Sequence, residues 1–359
     1  PGTERAWEMC EKYNLPRLIF VTNMDDDHAS YRELVVKLEK KFGRKIAPFQ
    51  LPIRENEEFV GYVNVLQQRA KRWTADGNVE KTEVPEYSKE NLGICREALM
   101  EAVAETSEEF MDRYFNGEEF SEDEIRQALR VNVAEGSIVP VLMGSNILAR
   151  GMYTLMVDIV KYLPSPEKRE CTGINAKTNE VYPANYDFAK TKSAYVWKTI
   201  VDPFLGKYSL IKVASGVIKS DDTLLNVEKG EEERLNKLYV LEGSKPLEVP
   251  ELHAGDIGAI AKLASVQTGD SLAAKASPVL YPKAVISTPY TYKRYKAVKK
   301  GDEDKISQSL AKMASEDKTL RVVNDSANRQ TLLYGMGDQH LDIVVSKLKE
   351  RYKVDIELS

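Results

Sequence analysis

The stretch QTLLYGMGDQHLD, from Gln330 to Asp342, decides the fold of the C-terminal third of the chain. Gly335 and Gly337 allow a sharp turn where a β-carbon would clash, and Asp338 is a residue type that stabilises a helix N-terminus. Apolar residues then recur at helical spacing, namely Leu341, Val344, Val345, Leu348 and Tyr352. The pattern predicts a short strand, a tight turn and an amphipathic helix.

Length and composition limit the classes of protein that fit. A chain of 359 residues exceeds what one hydrophobic core serves, so we expect two or three domains. The net charge of −5 argues against coating nucleic acid by charge alone and allows only a local RNA contact. We expect no membrane role, because no apolar run approaches the length of a transmembrane helix.

The cysteines and histidines indicate neither disulfides nor a metal site. Cys10, Cys95 and Cys171 are odd in number and lack paired metal-ligand spacing, which favours a reducing, cytoplasmic location. The three histidines are scattered along the sequence. We therefore predict no metal ligands and no catalytic histidine.

Two proline-containing segments, Pro164 to Pro166 and Ser277-Pro278, divide the chain into three regions. Residues 1–166 alternate helices with short apolar strands, as in an α/β domain. Residues 167–277 show strand alternation and turn residues, which predicts a small β-barrel. Residues 278–359 read strand, helix, strand, strand, helix, strand, a ferredoxin-like order. The predicted fold class is therefore multidomain: α/β, β-barrel and α+β.

Several local signals in the first region specify individual elements. The run Tyr31 to Phe42 has a helical period, and Ser121 with Glu124 forms a capping box at the start of another helix. Apolar strands are predicted at Leu18 to Val21 and at Ile138 to Leu142.

The first of these strands ends in Val21-Thr22-Asn23-Met24-Asp25, a turn that presents a carboxylate. A fixed Asp can accept both N–H donors on the N1 and N2 edge of guanine, and adenine cannot supply that pair. The alternative is an ordinary strand exit with Asp25 to Asp27 in solvent.

The whole chain resembles elongation factor G, a translational GTPase, in the order and spacing of many short motifs. They are Met143-Gly144-Ser145, Lys161 to Pro166, Asp202 to Lys207, Ser215-Gly216, Ala254 to Gly258, Thr268-Gly269-Asp270 and the Gln330 to Asp342 stretch. The resemblance implies the C-terminal part of a P-loop GTPase domain with a helical insertion at about residues 41–136. It also implies domain II as a translation-factor barrel and domain III as a ferredoxin-like domain, so we expect a portion of that factor.

The resemblance also implies a guanine-binding site. The matching positions for the nucleotide are Thr22, Asn23, Asp25, Ser145 and Asn146. Thr22, Asn23 and Asn146 depart from the family's Asn, Lys and Ala, which predicts weaker guanine selectivity.

The phosphate half of that site is absent from the sequence. The parent factor binds GTP or GDP with Mg²⁺, but no GxxxxGK[ST] string occurs here. We therefore expect no catalytic residues, no bound nucleotide and no hydrolysis by this chain alone.

For function, the resemblance implies ribosome binding and GTP-dependent translocation of tRNA and mRNA, by a monomer. Two alternatives are a divergent paralogue that binds ribosomes with little hydrolysis, and a ribosomal (tetracycline) protection protein. The acidic helices from Glu101 to Glu124 resemble the insertion that meets the ribosomal stalk protein, although such a run is also typical of a solvated face.

One basic, aromatic patch contains Tyr292, Lys293, Arg294 and Lys296. Its cations attract phosphates and its tyrosine can stack on bases, so we predict a ribosomal RNA contact. The alternative is a solvated loop that follows the first strand of the third region, with the tyrosines packing locally.

Overall fold

The computed structural model describes residues 1–43, 45–74, 76–165, 168–202, 206–243 and 245–359. The chain forms two compact units, Pro1–Ser165 and Pro166–Ser359. The predicted linker residue Pro166 and residues 203–205 of the Asp202 to Lys207 motif lie outside the described residues. Within the described ranges, no helix is both long and apolar enough to cross a membrane.

The first unit is α/β, as predicted. Its helices are α1 (Gly2–Lys12), α2 (Tyr31–Phe42), α3 (Glu86–Ala104), α4 (Glu108–Phe115), α5 (Glu122–Glu135) and α6 (Met152–Tyr162). Its strands are β1 (Ile19–Val21), β2 (Ile46–Pro48), β3 (Gln50–Glu55), β4 (Glu58–Asn64), β5 (Arg69–Trp73), β6 (Val79–Thr82) and β7 (Val139–Met143).

Strand β7 is the centre of a parallel sheet with the order β1-β7-β2. All of its residues are buried, as expected for the apolar run VPVLM between two neighbouring strands. Strands β3 to β6 form a separate antiparallel sheet. Strand β2 lies within the range predicted for the insertion, but it pairs with β7 in the parallel sheet.

Helix α5 begins with the predicted capping box. The Ser121 Oγ accepts the Glu124 N–H at 3.3 Å, and the Glu124 Oε2 accepts the Ser121 N–H at 2.8 Å. Arg113 donates from Nη1 to the Glu124 Oε1 at 2.7 Å. The bond from Arg113, followed by those from Ser121, lowers the pKa of Glu124 to about 2. The cap therefore fixes both the start of the helix and the charge of its third residue.

The second unit contains a barrel region and an α+β region. The barrel-region strands are β8 (Thr172–Asn175), β9 (Val181–Pro183), β10 (Ser193–Asp202), β11 (Gly206–Ser215), β12 (Val217–Lys219), β13 (Thr223–Asn226), β14 (Glu231–Arg234), β15 (Leu238–Glu242), β16 (Lys245–Val249), β17 (Glu251–His253), β18 (Ile257–Ala261), β19 (Ser271–Ala273) and β20 (Val279–Leu280). The α+β elements are β21 (Thr291–Ala297), α7 (Glu303–Glu316), β22 (Arg321–Asp325), β23 (Gln330–Gly335), α8 (Asp338–Lys347) and β24 (Ile356–Leu358), with a π-helical turn at Leu348–Tyr352.

The barrel is an eight-stranded sheet with the order β14-β13-β19-β10-β11-β18-β15-β16. Leu224 on β13 and Leu238 on β15 lie near opposite ends of that order, yet both belong to one buried core. Ile218 of the separate β12–β17 pair joins the same core. The strands therefore wrap around a shared interior, which confirms the predicted β-barrel.

The α+β region has the predicted order of strand, helix, strand, strand, helix, strand. Its antiparallel sheet has the order β22-β23-β21-β24, with β23 and β21 at the centre. Ile306, Leu310 and Met313 of α7 are buried with Leu341 and Leu348 in one core. The fold class predicted from sequence is thus confirmed for all three regions.

The two glycines before α8 have different physical roles. A Cβ at Gly335 would lie 2.8 Å from the Leu341 Cδ2, which is too close for a real side chain. Gly337 has φ +148, a backbone conformation that side-chain-bearing residues rarely adopt. Helix α8 then begins at Asp338 and buries Leu341. The predicted strand, turn and helix are confirmed.

The α+β region also contacts strand β10 of the barrel through Glu316 and Arg351. The Val201 N–H donates to the Glu316 Oε1 at 2.7 Å, and the Arg351 Nη1 donates to the Glu316 Oε2 at 3.1 Å. The Arg351 Nη2 donates to the Val201 carbonyl oxygen. The π-helical turn therefore positions a cation against the barrel backbone.

Candidate functional site

The loops that follow β1 and β7 lie side by side. These strands pair in parallel, with Val21 opposite Met143. The Gly144 N–H donates to the Val21 carbonyl at 2.9 Å, and the Met24 N–H donates to the Gly144 carbonyl at 3.1 Å. Because both loops leave the carboxyl ends of parallel strands, they form the kind of edge where open α/β sheets bind ligands. The structure thus brings together the two segments predicted to hold a guanine base.

The first loop holds its residues in different environments. Thr22 and Asn23 are exposed, and Asn23 has φ 58, a left-handed conformation that Asn tolerates. Met24 is fully buried and anchors the loop. Asp25 is half-buried, and its Oδ1 is buried without a hydrogen-bond partner among the described residues. An unpaired buried acceptor costs free energy, so this oxygen is the chemically unusual atom of the loop.

The second loop is tightly packed where it leaves β7. A Cβ at Gly144 would lie 2.3 Å from the Arg150 carbonyl oxygen and 2.6 Å from the Phe20 Cζ, so only glycine fits. Ser145 is fully buried, and its Oγ accepts the Leu148 N–H at 3.0 Å. Asn146 is exposed. The serine therefore organises its own turn, and the two loops touch through their backbones.

Arg54 of β3 also holds the first loop, which the sequence did not indicate. Its Nη2 donates to the Met24 carbonyl at 2.7 Å and to the Asp26 carbonyl at 3.2 Å. A third bond, from Nη1, reaches the Glu57 carbonyl at 2.7 Å. The guanidinium thus fixes the backbone on both sides of Asp25. No local pattern signals this contact, because Arg54 lies 30 residues from Met24 in sequence.

The basic, aromatic patch lies on a strand, so the loop of the alternative is wrong, although Tyr292 does pack locally against Tyr334. Tyr292, Lys293, Arg294 and Lys296 all belong to β21, the first strand of the α+β region. Side chains on a strand alternate between its two faces. Tyr292, Arg294 and Lys296 therefore share one face, and Lys293 points to the other.

Lys293 lies on the helix-covered side of the sheet, opposite Leu333 of the buried core. Its Nζ is 2.9 Å from the Asp338 Oδ1, at the first residue of α8. The hydrogen bond with Asp338 raises the pKa of Lys293. Lys293 is therefore separated from the other three patch residues and is paired within the domain.

The opposite face of the sheet contains two further residues that sequence reasoning missed. Tyr334 on β23 pairs directly with Tyr292, with ring centroids 5.0 Å apart and an interplanar angle of 32°. Arg321 on β22 is opposite Tyr334, with its guanidinium carbon 5.9 Å from the Tyr334 ring centroid. The signal that could have found them is strand alternation in three separate segments, which a contiguous patch does not reveal.

Comparison with known families matches two parts of the chain. Residues 191–275 match the model described as elongation factor G domain 2. Residues 286–359 match the model described as elongation factor G, domain III. The two matches follow the order predicted from sequence.

Comparison with solved structures matches the chain over its full length. It is similar to the crystal structure of ttk003000868 from Thermus thermophilus, with a TM-score of 0.85 and 30% sequence identity. The match covers 100% of this chain and 51% of that chain, so this chain spans about half the length of the solved structure. From the two family matches we conclude that the chain contains elongation factor G domains 2 and III, in that order, at residues 191–275 and 286–359.

Proposed function

We propose that the chain is part of a translational GTPase that binds the ribosome and promotes GTP-dependent movement of tRNA and mRNA. The observation that carries this proposal is the presence of two elongation factor G domains in sequence order. The full-length structural match supports it, because the α/β unit is included. Further partners in this proposal are ribosomal RNA and, through the acidic helices α3 to α5, the ribosomal stalk protein.

In this proposal the edge formed by the β1 and β7 loops binds the guanine base. The unpaired Asp25 Oδ1 supports this role, since guanine N1 and N2 would supply the donors it lacks. Arg54 would hold the loop backbone so that the carboxylate stays in place. GTP with Mg²⁺ would supply the phosphoanhydride for hydrolysis. Since the sequence has no GxxxxGK[ST] string, other residues would have to hold the phosphates.

Surface features of the first unit support a larger nucleotide domain. Strand β1 pairs only with β7 within the described residues, so its other edge is open. Helix α6 exposes Tyr153, Met156 and Val160 along one face. An open strand edge and an exposed apolar helix face are each typical of a surface that receives further secondary structure.

A base-specificity exchange tests the guanine site in the full-length protein. Asn at position 25 offers one donor and one acceptor, which fits xanthine, whose position 2 is a carbonyl. We expect Asp25→Asn to weaken fluorescent GDP binding about tenfold or more and to favour the xanthine nucleotide. The matched control is Asp27→Asn, in the same loop but exposed. If Asp25→Asn leaves GDP affinity unchanged, the assignment of the base site is wrong.

A second candidate function is a paralogue that binds the ribosome with little hydrolysis. The exposed Thr22, Asn23 and Asn146 favour it, because they replace the family's base-binding side chains. Measuring ribosome-stimulated GTP hydrolysis by the full-length protein separates the two functions. Stimulated hydrolysis supports the translocase, whereas ribosome cosedimentation without hydrolysis supports the paralogue. Absence of ribosome binding contradicts both.

A further inference from the structure

We propose that the open face of the α+β sheet binds unpaired RNA by stacking bases on Tyr292 and Tyr334. The tyrosine face is defined by Tyr292, Arg294, Lys296, Arg321 and Tyr334. The inference rests on the proposed ribosome-bound function, and it names the chemistry of one contact.

The two tyrosines occupy the centre of the sheet. They lie opposite each other on β21 and β23, the two inner strands, with ring centroids 5.0 Å apart. Tyr292 is 58% exposed, whereas Tyr334 is partly covered. Their rings are tilted by 32°, so together they form one aromatic platform and not two isolated rings. Base stacking on such a platform tolerates any sequence, because every base has a π-face.

Cations surround this platform on the same face. Arg321 lies over the Tyr334 ring, and Arg294 and Lys296 follow Tyr292 at two-residue intervals along β21. The face also includes two acids, since Glu357 of β24 pairs with Lys296 and Asp325 of β22 pairs with Gln330. Three cations beside two aromatic rings fit a single RNA strand. Its bases would stack on the rings, and its phosphates would contact Arg and Lys.

The other side of the sheet is covered by residues of the same chain. Helices α7 and α8 pack there around the shared core, and Glu316 and Arg351 bind the barrel strand β10. Lys293 points to that side and pairs with Asp338. The tyrosine face is therefore the surface of this sheet that remains for a partner.

The chemistry of the face favours unpaired RNA over an apolar protein segment. Leu332, the aliphatic residue between the tyrosine and Gln330 on β23, is 8% exposed and offers little apolar area. What the face presents is aromatic and charged, with three cations and with the acids Glu357 and Asp325 on the two edge strands. In RNA-recognition motifs, aromatic side chains on a four-stranded sheet stack on unpaired bases. A duplex would not fit the platform, because its bases are stacked on one another.

Fluorescence anisotropy with labelled oligouridine and oligoadenosine tests the proposal. We expect Tyr292→Ala and Tyr334→Ala each to weaken binding about tenfold. Tyr292→Phe keeps the ring and should retain affinity. Arg321→Ala should weaken binding and reduce its salt dependence. A blunt-ended duplex of two complementary strands of similar length should bind less tightly than either oligonucleotide.

Two control variants separate stacking from general effects. Tyr290→Ala removes a 73% exposed tyrosine that precedes β21 and should leave binding unchanged. Lys293→Ala removes a cation from the same strand but from its opposite face, and should also leave RNA affinity unchanged. Circular dichroism of each variant identifies any that fail to fold. If an alanine variant does not fold, Tyr292→Phe, which keeps the ring, still tests whether the ring is sufficient for RNA affinity.

Ribosome cosedimentation of the same variants distinguishes the RNA-stacking proposal from the proposed ribosome-bound function. If the wild type binds ribosomes but none of the oligonucleotides, or if alanine at both tyrosines leaves RNA affinity intact, the stacking proposal is overturned. If oligonucleotide binding depends on the tyrosines but the full-length protein does not associate with ribosomes, the RNA-binding face stands and the proposed function fails. Preference for the duplex also overturns the proposal.

Discussion

The parallel sheet of the first unit and the antiparallel sheet of the α+β region differ in how far the chain itself covers them. In the α+β region, α7 and α8 bury Leu310, Leu341 and Leu348 on one side of four strands. In the first unit, β1 keeps an open edge within the described residues, and α6 exposes Tyr153 and Val160. The difference teaches that the α+β region closes a hydrophobic core with its own helices on one side of its sheet, whereas the first unit leaves an apolar surface suited to further structure. Four predictions test it.

The largest effect is expected in the α+β core. Leu341→Ala removes a fully buried side chain from a packed interior, so we expect a loss of about 2–5 kcal/mol in the free energy of unfolding. Urea denaturation of the second unit measures it. Ile343→Ala lies on the same helix but is 49% exposed, and it should cost much less. Equal effects at both positions would mean that this core is not closed.

The buried side of α6 should respond to pH. Burial raises the pKa of Asp158 from 3.8 to about 6, against the opposing charges of Lys161 and Lys71. Because the folded pKa is raised, the fold prefers the protonated acid, and stability is lost as pH rises from about 4 through 6. Asp158→Asn should therefore stabilise the unit by up to about 3 kcal/mol above pH 6 and by little below pH 4.

Thermal denaturation across that pH range measures the Asp158 effect. Asp123→Asn provides the control, since this side chain is 79% exposed, where it pairs with Arg126 at 2.8 Å. A stability difference for Asp158→Asn that does not change with pH would contradict the role of burial.

A moderate effect is expected at the cap of α5. Ser121→Ala removes the acceptor for the Glu124 N–H, so we expect a loss of about 1 kcal/mol. Ser121→Thr keeps a hydroxyl that can accept the Glu124 N–H and donate to the Glu124 carboxylate, and should recover most of it. If Ser121→Ala leaves the free energy of unfolding unchanged, the cap of α5 contributes nothing measurable to the stability of the first unit.

The smallest effect is expected on the exposed face of α6. Val160 is 77% exposed, so Val160→Ser should change the stability of this chain by less than about 0.5 kcal/mol. Leu155 packs against the core from the same helix, and Leu155→Ser should cost clearly more. In the longer protein we expect Val160→Ser to become costly as well. If Val160→Ser strongly destabilises this chain alone, the outer face of α6 is already covered. The two sheets would then not differ in how far the chain covers them.

Sequence patterns predicted most of the fold because most of its determinants are local. The helical stripe through Leu341 and the two preceding glycines specify the turn and α8 without knowledge of the rest of the chain. The capping box did the same for α5. Strand β2 was harder to place, since its pairing with β7 joins segments separated by the whole insertion.

The candidate sites were predictable only where they are contiguous. Parallel strand ends brought the Asp25 and Ser145 loops together, as their positions after two apolar strands suggested. The Arg54 bonds to the first loop depend on tertiary packing, which leaves no mark in a short window. The patch containing Lys293 was interpreted by composition, and alternation along β21 then divided it between two faces.

The number of residues in the π-helical turn at Leu348–Tyr352 sets the direction in which the Arg351 side chain points. A π turn holds an extra residue relative to an α-helix, and one residue corresponds to about 100° of rotation around the helix axis. Arg351 lies within this turn and reaches the Val201 carbonyl oxygen on β10. Deleting one residue here would restore the α-helical pitch and rotate the guanidinium away from the barrel, although every remaining side chain would be chemically the same. The hydrogen bond that links the two regions of the second unit therefore depends on the rotational position of Arg351 around the helix axis as much as on its being an arginine.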